Sequence, residues 1–161
     1  MNLREHVEFQ NGPFTISTDP ARLDIDTIHV FLSTRAYWSP DLPRPVLEKA
    51  VSNSLCFGVY ENGRQAGFAR VVTDLATFAY ICDLFILEEY RGKGLSKWLV
   101  SCILAHPELQ NLRRWLLITR DAHGLYSRFG FTPAARPENV MEIVDLDIYR
   151  RLQQGQHRTD E

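Results

Sequence analysis

Apolar positions along the chain follow two spacings, alternation and helical repeat, and the changes between them mark the elements. Phe14 to Ser17 alternates apolar and polar residues and predicts a short strand. Asp24 then stands where a helix cap belongs, ahead of Ile25, Ile28, Phe31 and Leu32 on one helical face. Pro43 and Pro45 suit the first turn of a second helix, where their missing amide hydrogens would be unpaired anyway, and Leu47, Ala50 and Val51 supply its apolar positions. Leu55 to Tyr60 and Gln65 to Val72 flank Glu61-Asn62-Gly63-Arg64, and an Asn-Gly pair between two such runs predicts a β-hairpin. Phe78 to Leu87 is long and mostly apolar, as a strand covered on both faces would be, and is expected in the middle of the sheet. Leu95, Trp98, Leu99, Cys102 and Ile103 keep helical spacing in a helix that must end before Pro107. Trp115 to Thr119 predicts a buried strand, and Ala122 to Phe129 a short helix closed by Gly130. Val140 to Leu146 predicts a last strand, with a further one near Phe131 pairing with it, and the polar end Gln153 to Glu161 is expected to fray.

The element order β, α, α, β, β, β, α, β, α, β belongs to the α/β (α+β) class: a mixed central sheet, partly antiparallel and partly parallel, of about six to seven strands flanked by about four helices. The 161 residues, 45 % hydrophobic, are expected to form one domain over 1–161, with its core at about 14–150 and a polar tail from about 151. A formal net charge of -2 gives no general attraction to nucleic acid or to an anionic membrane. Any phosphate must therefore be held by a local cluster. Cys56, Cys82 and Cys102 lie in apolar stretches at spacings unlike a zinc-ligand set or a disulfide framework, so they are read as reduced core thiols and no metal is expected. Met1 to His6 carries no apolar run of signal-peptide length and no segment approaches a membrane span, which makes a cytoplasmic protein the expectation.

Candidate chemistry begins at Arg91-Gly92-Lys93-Gly94, enclosed between the strand ending at Glu88-Glu89-Tyr90 and the helix that starts near Gly94. Glycines let the backbone approach a ligand, the helix N-terminus adds about half a positive charge, and Arg91, Lys93 and Lys97 add whole ones. A diphosphate is well matched. No Gly-Lys-Ser/Thr ends the loop as a P-loop requires, and Lys97 stands where a dinucleotide fingerprint needs its third glycine.

Leu84 to Ser96 resembles the central motif of the GNAT superfamily of N-acetyltransferases, Arg/Gln-x-x-Gly-x-Gly/Ala, with Arg91 and Gly94 matching directly and Ser96 replacing the final Gly/Ala. Ala122-His123-Gly124-Leu125-Tyr126-Ser127-Arg128-Phe129-Gly130-Phe131 resembles the second landmark, a helix with Ala-x-x-x-Tyr ending in Gly-Phe. The resemblance covers about Phe14 to Leu146 and implies acetyl transfer from acetyl-CoA to an amine by direct attack in a ternary complex, without a metal. A non-catalytic acyl-CoA sensor is the alternative.

By that resemblance Leu84, Phe85 and Ile86 offer a strand edge to the pantetheine arm, and the Ile86 amide faces the oxyanion. Arg91, Gly92, Lys93, Gly94, Leu95, Ser96 and Lys97 hold the diphosphate. Thr119 stands where many relatives place an Asn against the pantetheine, and Arg128 is a candidate for the 3′-phosphate or a solvated helix face. Tyr126 is the candidate acid for the departing thiolate. Asp83 is the first candidate base, because a carboxylate on a mostly apolar strand is costly unless paired or used; Asp74, Glu88 and Tyr80 are alternatives, and His123 is read as a cap or solvated side chain. Tyr37, Trp38 and Tyr80 are the candidate acceptor-binding residues, with Tyr37-Trp38 either an aromatic wall or a cover over the helices. The acceptor is an unspecified small-molecule or peptide amine, and the protein a monomer or homodimer.

Overall fold

The computed structural model describes residues 5–156. Six strands form one sheet in sequence order: β1 (Glu8–Asn11), β2 (Phe14–Ser17), β3 (Leu55–Glu61), β4 (Arg64–Thr73), β5 (Phe78–Ile86) and β6 (Arg114–Leu117). Neighbours are antiparallel except β5 and β6, which are parallel and joined through a helix as parallel strands must be. The hairpin expected at Asn62-Gly63 joins β3 to β4, with both residues at positive φ (49° and 82°), the conformation a two-residue hairpin turn demands.

Successive residues on a strand point to opposite faces, and two apolar layers follow. On one face α1 (Ile25–Thr34) and α2 (Arg44–Ser52) pack Ile28, Phe31, Leu32 and Leu47 against Cys56, Phe68 and Phe85. On the other, α3 (Leu95–Ala105) packs Leu95, Leu99, Cys102 and Ile103 against Phe57, Val59, Val71 and Ile81. Asp24 caps α1 as expected, its carboxylate accepting from the Thr27 amide (3.1 Å) and hydroxyl (2.7 Å). A short α4 (His123–Ser127) follows β6, and α5 (Ile148–Gln156) ends the described chain. No described helix is long and apolar enough to cross a membrane.

The structure corrects several expectations. Phe78 to Leu87 forms a strand over Phe78–Ile86, but it lies next to the sheet edge, where its residues alternate between buried and half-buried instead of being covered throughout as in β3. The polar Glu8–Asn11 adds an edge strand that its pattern does not announce. Gln153 to Gln156 continues α5, whereas 157–161 and the first four residues, part of the stretch read for a leader, lie outside the described residues. Most plainly, Val140 to Leu146 is no strand, and none forms near Phe131: Val140, Met141, Ile143, Val144 and Leu146 stand in solvent.

Candidate active site

β5 carries a bulge where it matters. Phe68 pairs with Phe85 and Arg70 with Cys82, so Asp83 and Leu84 together oppose Ala69, and Asp83 takes φ of 54°. An extra residue bends a strand and re-aims its side chains. Pairing with β6 stops just before, at Ile81↔Leu117, so the edge of β5 from Cys82 to Ile86 opens away from its parallel neighbour. Leu87 donates its amide to Ala66 of β4 at 2.8 Å. Because amides alternate sides along a strand, the Ile86 amide points into this opening.

The strand runs into a turn at Gly92 and Gly94, with φ of 78° and 76°, a left-handed conformation in which a side chain would strain the backbone. A Cβ at either would meet only open space, so the turn faces outward. The first backbone bond of α3 is Trp98 N–H to the Gly94 carbonyl at 3.1 Å, and no side chain caps the helix. Among the described residues the amides from 92 to 97 therefore have no acceptor, the condition in which a helix start binds anions. Arg91 donates from Nε to the Ile86 carbonyl at 3.1 Å, fastening the turn to the strand.

A cavity of about 390 Å³ lies along this edge. Its lining is drawn from the β5 residues Leu84, Phe85 and Ile86, from Arg91, Gly92, Gly94, Leu95 and Ser96 of the turn and helix start, and from Tyr37, Trp38 and Asp121 on two loops. Tyr37 and Trp38 meet edge to face at 5.1 Å. The Tyr37 hydroxyl accepts from the Arg120 amide at 2.9 Å while the Arg120 guanidinium lies 3.8 Å from the centre of its ring, tying the α1–α2 loop to the β6–α4 loop. Trp38 Nε1 donates to Asp83 Oδ1 at 3.0 Å, and Arg70 Nε donates to Asp83 Oδ2 at 2.7 Å.

Tyr126 is buried on α4, edge-on to Phe131 at 5.9 Å. Burial pushes its phenol up to about 12, and nearby Tyr37 and Asp121 add to the rise. It stays protonated through the neutral range. The three thiols are free, and burial raises Cys56 and Cys82 to about 12 and Cys102 to about 11, which leaves them unreactive.

The cavity gathers most of the sequence candidates, with exceptions. Lys93 lies over the rings of Phe14 (5.6 Å) and Tyr90 (5.8 Å), and the Thr119 hydroxyl accepts from the Ala122 amide at 3.0 Å, closing the turn that leads to α4. Neither lines the cavity, nor do Tyr80, Asp83, Lys97, Tyr126 and Arg128. Asp74 closes the β4–β5 loop by accepting from the amides of Ala76, Thr77 and Phe78, and these bonds with that of the Thr77 hydroxyl hold its pKa well below the usual carboxylate range. Glu88 stands 3.9 Å from Arg35. Sequence reasoning missed Phe31, Arg35, Ala36 and Asp121 as lining residues; only the position of Asp121 beside Thr119, at the end of a predicted strand, could have pointed to it.

A mixed sheet opened beside a glycine turn and an uncapped helix start offers one extended ligand both a free strand edge and an anion-binding backbone. The profile of the GNAT acetyltransferase family matches residues 25–131. A Gibberella zeae protein named provisionally as an acetyltransferase is 32 % identical over 150 residues, covering 80 % of this chain and 84 % of its own. A crystal structure from Xanthomonas campestris pv. campestris, assigned provisionally to the same family, superposes with TM-score 0.83 at 49 % identity over 84 % of this chain and 96 % of its own. A GNAT family acetyltransferase from Elizabethkingia anophelis, crystallised with acetyl-CoA bound, shares the fold at 13 % identity and TM-score 0.57, over 84 % of this chain and 90 % of that one. The chain belongs to the GNAT acetyltransferase family.

Proposed function

We propose that the protein is an N-acetyltransferase that moves the acetyl group of acetyl-CoA to an amine by direct attack in a ternary complex. The observation that carries this reading is the run of unpaired amides from 92 to 97 beside the open edge of β5. Those amides receive the diphosphate, and Arg91 and Lys97 add charge. The pantetheine arm extends along Leu84 to Ile86 as an added strand, which brings the thioester carbonyl to the Ile86 amide. Bound acetyl-CoA in the Elizabethkingia anophelis protein supports the choice of cofactor. Free thiols fit a cytoplasmic setting.

A neutral amine attacks the carbonyl carbon, and the new C–N bond leaves a negative oxygen facing the Ile86 amide, stabilisation worth about 3 kcal/mol. The ammonium proton leaves to solvent or to Asp121. Collapse of the intermediate breaks the C–S bond, and Tyr126 gives its proton to the departing thiolate. The products are an amide and free coenzyme A. Asp83 has a donor on each carboxylate oxygen, so its role in this reading is to position Trp38 rather than to take a proton. The Tyr37-Trp38 pair and the Asp121 carboxylate favour a cationic amine as acceptor.

A screen of polyamines, amino acids, aminosugars and peptide amines with acetyl-CoA, followed by thiol release, tests the reading. At least one cationic class is expected to turn over. Failure of every class while acetyl-CoA still binds would make the protein a coenzyme binder instead.

A further inference from the structure

β5 and β6 stop pairing at Ile81↔Leu117, and beyond that point each side carries an anchor for the loop between α1 and α2. On β5, Asp83 accepts from Trp38 Nε1 at 3.0 Å; past β6, the Arg120 amide donates to the Tyr37 hydroxyl at 2.9 Å. Two adjacent residues thus reach both lips of the opening, and their rings brace one another edge to face.

Neither anchor is loose. Asp83 is held from its other oxygen by Arg70, whose Nη1 donates in turn to the Ser54 hydroxyl at 3.2 Å, and the Arg120 guanidinium covers the Tyr37 ring. The loop itself is fastened to α1. The buried Ser39 hydroxyl donates to the Leu32 carbonyl at 2.7 Å, the Asp41 amide to the Ser33 carbonyl at 3.1 Å, and His29 Nε2 to the Leu42 carbonyl at 2.7 Å. A loop paired at this many points opens only by breaking several bonds together, so Tyr37 and Trp38 form a fixed wall and not a lid.

The place of this wall on β5 gives it a use. The glycine turn follows Ile86, so a coenzyme arm entering from the turn runs back along β5, and whatever lies beyond the thioester heads for Leu84 and Asp83. The indole of Trp38 stands there and lines the same cavity as Leu84. From Ile86 back to Asp83 is three residues, at most about 10 Å of strand. An acetyl group ends within that length, whereas an octanoyl chain runs into the indole.

We infer that Trp38, braced by Tyr37 and anchored on Asp83, sets the acyl length: it admits short acyl groups and excludes medium-chain ones. The inference rests on the acetyl-transfer reading above and adds to it which thioesters the site takes. Exclusion follows from the anchoring, because an over-long chain cannot be relieved by swinging the ring aside without losing the bond to Asp83.

Calorimetry without any acceptor, so that amine binding does not enter, compares free coenzyme A, acetyl-CoA and octanoyl-CoA. The wild type is expected to bind acetyl-CoA at least about 30-fold more tightly than octanoyl-CoA. Trp38→Ala is expected to cut that ratio to about threefold or less, and Trp38→Leu to bring it to an intermediate value. The ratio of kcat/KM for the two thioesters, with an acceptor that turns over, is expected to move in the same order. Equal binding of both thioesters by the wild type, or a ratio that stays unchanged in both variants, would overturn the assignment and leave acetyl transfer standing. Failure of the wild type to bind any of the three ligands would instead remove the acetyl-transfer reading, and the acyl stop with it.

Discussion

Trp38 and Asp83, 45 positions apart, are joined by an indole N–H···O bond of 3.0 Å that sets the aromatic end of the cavity. The carboxylate is held from its other side by Arg70, and both members of that ion pair are largely buried, with side-chain exposures of 19 % for Arg70 and 11 % for Asp83. The bulge in β5 aims Asp83 at both partners. Replacing Asp83 by Ala frees Trp38 and strands the Arg70 charge. Stability is expected to fall by roughly 2–3 kcal/mol, and KM for the acceptor to rise about tenfold, with kcat and its pH profile little changed. A loss of kcat by ~100-fold or more with a displaced pH profile would show Asp83 to be the base.

Tyr126→Phe removes the proton donor while keeping the ring that packs on Phe131. We expect kcat to drop by about 100-fold and the dissociation constant of acetyl-CoA to stay within about twofold, measured by steady-state kinetics and calorimetry. An unchanged kcat would remove Tyr126 from the chemistry.

The phenol of Tyr126, raised to about 12, also fixes the shape of the pH profile. kcat/KM should climb as the acceptor amine loses its proton and should show no falling limb up to about pH 10, where an unperturbed tyrosine would already be half ionised. A limb descending near pH 9 contradicts this.

Gly94→Val tests the turn. A β-branched side chain at φ of 76° is strained by roughly 1–2 kcal/mol, so the amides can no longer converge without cost. Acetyl-CoA affinity is expected to weaken about tenfold, with the melting temperature lowered by only a few degrees.

Asp24→Ala removes the cap of α1 and is expected to cost about 1 kcal/mol at pH 7 in chemical denaturation. Hydrogen bonds from the Thr27 side chain and amide hold the folded-state pKa of Asp24 below its ordinary value. The stabilisation is thus present above the unfolded-state pKa and lost as pH falls through the folded one, so variant and parent should converge in strong acid.

Elements that bury one face against their own chain were legible from spacing alone. The Asn62-Gly63 hairpin, the Asp24 cap and the helix from Leu95 to Ala105 each follow from local chemistry that nothing distant overrides. The glycine turn was legible for the same reason. Asp83 was singled out because its carboxylate lay on an apolar strand, yet its partners come from Arg70 across the sheet and Trp38 on a loop, and no spacing reports those. Asp121 looks like any turn aspartate until the fold brings it to the same cavity as the glycine turn. Val140 to Leu146 has a strand pattern without a strand, because alternation reports what a segment can pair with and not where the partner is.

The central claim is that the backbone of 92–97 holds the diphosphate while the Ile86 amide faces the acetyl oxygen. A crystal structure of the protein with acetyl-CoA tests it directly. The expected result places the diphosphate oxygens within hydrogen-bond distance of those amides and the thioester carbonyl on Ile86 N–H. Coenzyme bound elsewhere, or a thioester pointing away from β5, would contradict the account.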